Sequence, residues 1–220
     1  MPPPIDLIPL CFSGLVLAGG RSRRMGTDKS RLILDGESLL ARQLRLLAEV
    51  GASERLVSVA PGAPPTDWPP GVGRVEDPVA DAGPLAGVAT GLAAARSPWV
   101  LVLAVDLPGL QVDFLRRLLT RAALVGGRGV VPRTAAGWEP LAAVYPAGLA
   151  TLAASRLAGP DRSLQGFIRA ALAHQALEIW EVPAEDRERL VNWNRPGDYP
   201  PGPVGGSASR DSRPPTSSPW

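Results

Sequence analysis

Short apolar runs alternate with amphipathic stretches up to Leu124, and no other feature of the chain constrains its fold as tightly. Gly14-Leu-Val-Leu-Ala18, Leu56 to Ala60 and Trp99 to Val105 are apolar and partly β-branched, as strands buried on both faces of a parallel sheet are. Close to them lie three stretches with helical spacing: Ser38 to Val50, Leu85 to Ala95 and Val112 to Leu124. In the first, Leu39, Leu40, Leu44 and Leu47 share one face. Strands alternating with helices build βαβ units with right-handed crossovers. The expectation is an α/β fold: a single domain, three-layer and Rossmann-like, with a mostly parallel twisted sheet and helices on both faces.

The remaining pattern is less regular. Pro61 to Gly71 is too rich in proline for a helix or strand and reads as a surface loop, followed by a short strand over Val72 to Glu76. Beyond Leu124, Gly129-Val-Val-Pro132 and Leu141 to Tyr145 read as strands, Gly148 to Leu157 and Ser163 to Ala173 as helices, and Ala176 to Val182 as a final strand before a short acidic helix. From Pro200 onward Gly, Ser and Pro dominate with almost nothing to bury. The expected organisation is an N-terminal extension over 1–12, one domain over 13–199 and a disordered tail over 200–220.

Composition narrows the classes of function. The 220 residues suffice for one core, and 45% hydrophobic with 20% charged is globular. No run of eighteen apolar residues exists to span a bilayer, so no membrane role is expected. Twenty-three basic against 21 acidic residues leave +2, too little for a nucleic-acid binder. Cys11 is the one cysteine, and the first residues lack the basic start and long apolar core of a secretory signal. The expected compartment is cytoplasmic.

Lys29 is the only lysine among 23 basic residues, and it lies in the most informative stretch, Leu17-Ala-Gly-Gly-Arg-Ser-Arg-Arg-Met-Gly-Thr-Asp-Lys-Ser30. Lysine is a compact, flexible point charge where arginine is a rigid planar fork. Adjacent Gly19 and Gly20 let backbone N–H groups approach an anion, and Arg21, Arg23, Arg24 and Lys29 supply the charge to hold a triphosphate. Two familiar phosphate loops do not fit. A Walker A loop needs Gly-Lys-Ser/Thr, but Gly26 lies three residues before the lysine; G-x-G-x-x-G finds no match, which disfavours NAD and FAD.

Three further constellations stand out. Asp106 follows an apolar strand and precedes Pro108, which puts a carboxylate at the carboxyl end of a strand, the edge where α/β sheets bind ligands. Such a hard oxygen suits Mg²⁺, although a turn or cap residue reads the same way. Glu76-Asp77-Pro78 precedes Gly83-Pro-Leu-Ala-Gly87, and Asn192-Trp-Asn194 precedes Arg-Pro-Gly-Asp198. Asp77, Asn192 and Asn194 are also residues that open turns. His174 reads as a helix-terminal surface residue, and the tryptophans form no stripe for stacking bases.

The glycine loop resembles the signature L-A-G-G-x-S-x-R-M-G-x-D-K of the molybdenum cofactor guanylyltransferases, the MobA-like nucleotidyltransferases. It matches through Leu17, Ala18, Gly19, Gly20, Ser22, Arg24, Met25, Gly26, Asp28 and Lys29. Glu76-Asp77 with the G-P-L-A-G turn, Val105-Asp106-Leu107-Pro108 and the Asn192–Asn194 segment are similar to further motifs of that family, in the same order. Two departures are plain. The second strand ends in Leu56-Val-Ser-Val-Ala60 where the family often has an asparagine, leaving Ser58 or backbone groups to substitute, and Arg195 and Gly197 stand where Thr and Glu are usual.

The resemblance implies transfer of GMP from GTP to the terminal phosphate of Mo-molybdopterin, with pyrophosphate released and Mg²⁺ as cofactor. It implies that Lys29, Asp106 and Arg23 carry catalysis and that Leu17, Ala18, Gly19, Gly20, Arg24, Lys29, Asp77 and Asp106 hold the nucleotide. Asp106 would bind the metal, and Asn192 and Asn194 the pterin. Molybdoenzymes or their chaperones are the implied recipients. Two alternatives stay open: a relative using CTP or another phosphorylated acceptor, and an inactive nucleotide-binding module in cofactor delivery.

Overall fold

The computed structural model describes residues 10–18, 29–64, 68–78 and 82–193. The strands are β1 (Phe12–Leu17), β2 (Ile33–Leu34), β3 (Glu37–Ser38), β4 (Glu54–Val59), β5 (Val72–Glu76), β6 (Trp99–Ala104), β7 (Gly129–Thr134), β8 (Gly137–Trp138), β9 (Ala142–Pro146) and β10 (Leu177–Glu181). The helices are α1 (Leu39–Glu49), α2 (Pro84–Ala94), α3 (Val112–Leu124), α4 (Ala150–Ala158) and α5 (Leu164–Ala173). The main sheet runs β10-β7-β9-β6-β1-β4-β5, with β8 paired to β7. β1, β4, β5 and β6 are mutually parallel, β9 runs against both β6 and β7, and β10 is parallel to β7. The sheet is therefore mostly parallel, with β9 turned round inside it.

Alternation along β1 divides the interior in two, because successive side chains of a strand point to opposite faces. Phe12 and Val16 pack with the leucines of α1 and with Phe114, Leu115 and Leu118 of α3. Leu15 and Leu17 pack with α2, α4 and α5. This is the three-layer arrangement the apolar runs predict, and every residue of β1 is buried. Two glycines of α2 set its distance from the sheet. A Cβ on Gly91 would overlap the side chain of Leu15, and one on Gly87 would lie 2.5 Å from Ser58 Oγ and 2.8 Å from Leu17 Cδ2.

Local chemistry explains most boundaries. Ser38 caps α1 by accepting from Ala41 N at 3.1 Å, and Ser163 caps α5 by accepting from Gly166 N at 3.0 Å. Gly83, at φ +77°, turns the chain into α2, and Pro84 occupies its first turn. The Gly148 to Leu157 segment divides into a 3-10 turn, Ala147–Leu149, and α4, while the acidic helix is a 3-10 segment, Ala184–Leu190. His174 is the exposed C-cap of α5. No helix among the described residues is long and apolar enough to cross a membrane. The expected extension lies outside them over 1–9, as does the whole of the tail over 200–220.

Candidate functional site

The parallel strands β5, β4, β1 and β6 end along one edge. Leu17 pairs in register with Ser58 of β4 and with Ala104 of β6. Ala18 N donates to Ser58 O at 3.0 Å, and Val105 N to Leu17 O at 3.4 Å. Leu17 and Ala18 are thus held between the ends of two neighbours where the glycine loop departs. Asp106 lies two residues past β6, and Asp77 directly follows β5, its N–H donating to Val59 O at 3.0 Å. Three strand spacings separate β5 from β6, about 14 Å.

The turn bearing Asp106 is clamped by residues remote in sequence. Gln43 of α1, wholly buried, donates Nε2 to Leu107 O at 2.9 Å, and Arg42 donates Nε to Pro108 O at 2.9 Å. Leu107 and Leu110 are buried beneath the turn. Trp193 N donates to Asp106 O at 2.9 Å, which brings the segment carrying Asn192 to the aspartate itself. Gly109 lies so close to the 3-10 segment that a Cβ there would be 3.0 Å from Arg189 Cα. That segment is tied down in turn by Asp186, 2% exposed, which accepts from Arg117 Nη2 through both oxygens at 2.7 Å and pairs with Arg189 Nε at 3.2 Å.

Asp77 sits in a different environment. It is half-buried, and burial holds its carboxyl above the usual aspartate range, opposed by the hydroxyl that Ser58 donates to Oδ1 at 2.7 Å. Ser58 is 1% exposed beneath Gly87, so the serine standing at the family's asparagine position is spent on Asp77. Glu76 accepts from Gly62 N at 2.6 Å and pairs with Arg74 at 3.4 Å, and the Gly62 N–H lowers its pKa.

The residues singled out in the sequence divide accordingly. Leu17, Ala18, Asp77, Asp106 and Asn192 share the carboxyl edge or lie on the segment tied to it. Gly19, Gly20, Arg23, Arg24 and Asn194 lie outside the described residues, as does the side chain of Lys29, whose backbone opens a 3-10 turn over Lys29–Arg31. Sequence reasoning passes over Arg42 and Gln43. Gln43 had a legible signal: it occupies a position on the apolar face that carries Leu39, Leu40 and Leu47. Glu139, too, goes unremarked in the sequence. It is half-buried, accepts from the Thr134 hydroxyl at 3.2 Å, and has its pKa raised by burial. No group of three or more His, Cys, Asp or Glu gathers among the described residues. Asp106 therefore suits a cation that takes one or two protein carboxylates and completes its shell with phosphate oxygens and water.

A family model described as MobA-like NTP transferase domain matches residues 14–177. The chain is 44% identical over 190 residues to a protein of Opitutus terrae named probable molybdenum cofactor guanylyltransferase, covering 85% of this chain and 92% of that one. It is 37% identical over 194 residues to the molybdenum cofactor guanylyltransferase of Pseudomonas putida, covering 87% of this chain and 96% of that one. Among solved structures, molybdopterin-guanine dinucleotide biosynthesis protein A from Archaeoglobus fulgidus matches with a TM-score of 0.64 and 20% identity, covering 84% of this chain and 94% of that one. At that identity the likeness is one of fold.

Proposed function

Because this chain belongs to the MobA-like NTP transferase family and is a nucleotidyltransferase, we propose that it transfers the GMP moiety of GTP to the terminal phosphate of Mo-molybdopterin. An oxygen of that phosphate attacks the α-phosphorus of GTP; the new P–O bond forms as the bond to the β-phosphate breaks, and pyrophosphate leaves with the electron pair. The product is a guanine dinucleotide form of the cofactor, passed on to molybdoenzymes or their chaperones. GTP as donor makes the cytoplasm the natural compartment.

The observation that carries this reading is the hydrogen bond from Trp193 N to Asp106 O, 2.9 Å. It ties the segment proposed to meet the acceptor to the turn proposed to meet the phosphates. Leu17 and Ala18, with Gly19 and Gly20, present backbone to the nucleotide. Arg23, Arg24 and Lys29 hold the triphosphate and steady the leaving group. Asp77, its Oδ1 oriented by Ser58, faces the nucleoside from the β5 side, and Asn192 and Asn194 meet the pterin. No residue needs to act as a covalent nucleophile, since alignment and charge stabilisation suffice for attack at phosphorus. Asp106 would hold a divalent metal, which we assign as Mg²⁺, and such a metal would supply charge neutralisation at the phosphate oxygens.

Pyrophosphate release with molybdopterin as acceptor, measured in parallel for GTP, CTP, ATP and UTP, tests the reading. GTP should support turnover at least tenfold faster than CTP. A preference for CTP moves the assignment to cytidylyl transfer, and binding of GTP without release under any condition makes the chain a carrier module.

A further inference from the structure

On the far side of Asp106 from the strands β1, β4 and β5 lies a cleft of about 470 Å³. One wall is the β7–β8 hairpin, with Thr134, Ala135 and Ala136, followed by Glu139; the other is the end of the 3-10 segment, with Arg187 and Asn192. Two hydrogen bonds place it beside the aspartate. Ala104 N, at the end of β6, donates to Leu141 O at 2.8 Å, and Trp193, next to Asn192, donates to Asp106 O. The cleft therefore adjoins the turn that carries Asp106.

The Glu139 segment is rigidly held. Its N–H donates to Pro132 O at 2.8 Å, its carbonyl accepts from Ala142 N at 3.2 Å, and the hydroxyl of fully buried Tyr145 donates to Pro140 O at 2.7 Å. Thr134 is the one hydrogen-bond partner of its carboxylate among the described residues, and it occupies Oε1. A preorganised carboxylate with an acceptor oxygen to spare, beside a cleft, complements a ligand edge bearing two adjacent N–H donors. The 2-amino-4-oxopyrimidine ring has such an edge: a ring N–H next to an exocyclic amine. Arg187 on the facing wall is exposed, and no ion pair engages it among the described residues. It supplies a cation for an anionic substituent.

We propose that Glu139 is the specificity residue for the acceptor, its carboxylate pairing with the aminopyrimidinone edge of the pterin while Arg187 meets an anionic group on the same ligand. The inference rests on the guanylyl-transfer reading. Guanine carries the same edge, so the chemistry alone admits either ring. Position selects the pterin, because the cleft lies at the end of β7 and its hairpin, across Asp106 from Asp77.

The test compares free pterin with lumazine, which carries an oxo group in place of the 2-amine, by equilibrium dialysis against the full chain. The wild type should bind pterin about tenfold or more tightly than lumazine, the loss expected when a charged acceptor faces the missing donor. Glu139→Gln should abolish that preference and raise KM for molybdopterin by about tenfold or more, leaving KM for GTP within about twofold. No preference in the wild type, a preference that survives in E139Q, or a rise in KM for GTP in place of the acceptor would each overturn the proposal; the last would give the edge to guanine. Failure of the wild type to release pyrophosphate from GTP, with pterin preference present and lost in E139Q, would sink guanylyl transfer while leaving the pterin site standing.

Discussion

Two turns at the carboxyl edge each carry an aspartate followed closely by a proline, and they are held in opposite ways. Around Asp106, three carbonyls are tied by residues remote in sequence: those of Leu107 and Pro108 accept from Gln43 and Arg42, and that of Asp106 accepts from Trp193. At Asp77 a tie falls on the carboxylate itself, which accepts from Ser58 and is half-buried. A turn fixed through its carbonyls sets where a side chain starts. One fixed through its carboxylate spends part of that group on the fold. The Asp77 arrangement suits the orienting role proposed for it, while the metal-binding role proposed for Asp106 rests on its place just past β6 at the carboxyl edge.

The strongest way to break the contrast is at Asp106. Asp106→Asn should lower turnover by about a hundredfold or more, the usual cost of removing one preorganised charge stabiliser, with the fold intact by circular dichroism. Full pyrophosphate release by that variant in magnesium buffer would remove the metal assignment. Lys29→Ala should fall as far, and Lys29→Arg should recover only part of the rate, because charge is kept while reach and shape change.

The clamp itself is tested next. Gln43→Met keeps the length of the side chain but leaves Leu107 O without its donor, at a cost of about 1–3 kcal/mol in stability. If the clamp aims Asp106, kcat should drop by about tenfold while the GTP dissociation constant stays within about twofold. Equal losses in both would mean that Gln43 acts on the core alone.

Gly87→Ala should be felt on the Asp77 side, because its Cβ meets Ser58 Oγ at 2.5 Å and Leu17 Cδ2 at 2.8 Å. Overpacking of this kind costs about 1–3 kcal/mol. The melting temperature should fall by several degrees, and KM for GTP should rise more than KM for the acceptor. An unchanged melting temperature would show that α2 shifts freely over β1 and β4.

The smallest effect is at Asp77. Burial raises its pKa above the ordinary 3.8, so the folded chain holds this proton more tightly than the unfolded chain does. Its contribution favours the fold most below 3.8 and is lost as pH rises through the higher folded value. Asp77→Asn keeps an acceptor for Ser58 and removes the titration. Its urea midpoint should match wild type at acid pH and exceed it increasingly toward neutrality. A constant offset across that range would refute burial as the cause.

Most of the fold was legible in the chain because its signals are local. Ser38 and the leucine spacing place α1 to within a residue, Val112–Leu124 is a helix as its periodicity predicts, and Val72–Glu76 is a strand bounded by turn residues. The position of Asp106 past an apolar strand was legible for the same reason. Ser58 was open as a nucleotide contact in the sequence, and only burial under Gly87 shows its hydroxyl given to Asp77.

What the amino-acid order determined alone was the five α-helices and the seven longer strands, though not the two-residue strands β2, β3 and β8, and the placement of the glycine loop and Asp106 after β1 and β6, since capping, periodicity and turn chemistry act between near neighbours. The tertiary structure alone decided that β9 runs against β6 and β7, that Gln43 and Trp193 meet the Asp106 turn, and that Glu139 borders a cleft beside it. Gln43 and Leu107 are 64 positions apart, and no local pattern records which distant carbonyl a buried amide will reach. Those pairings arise only when the two packed faces of the sheet bring the partners together.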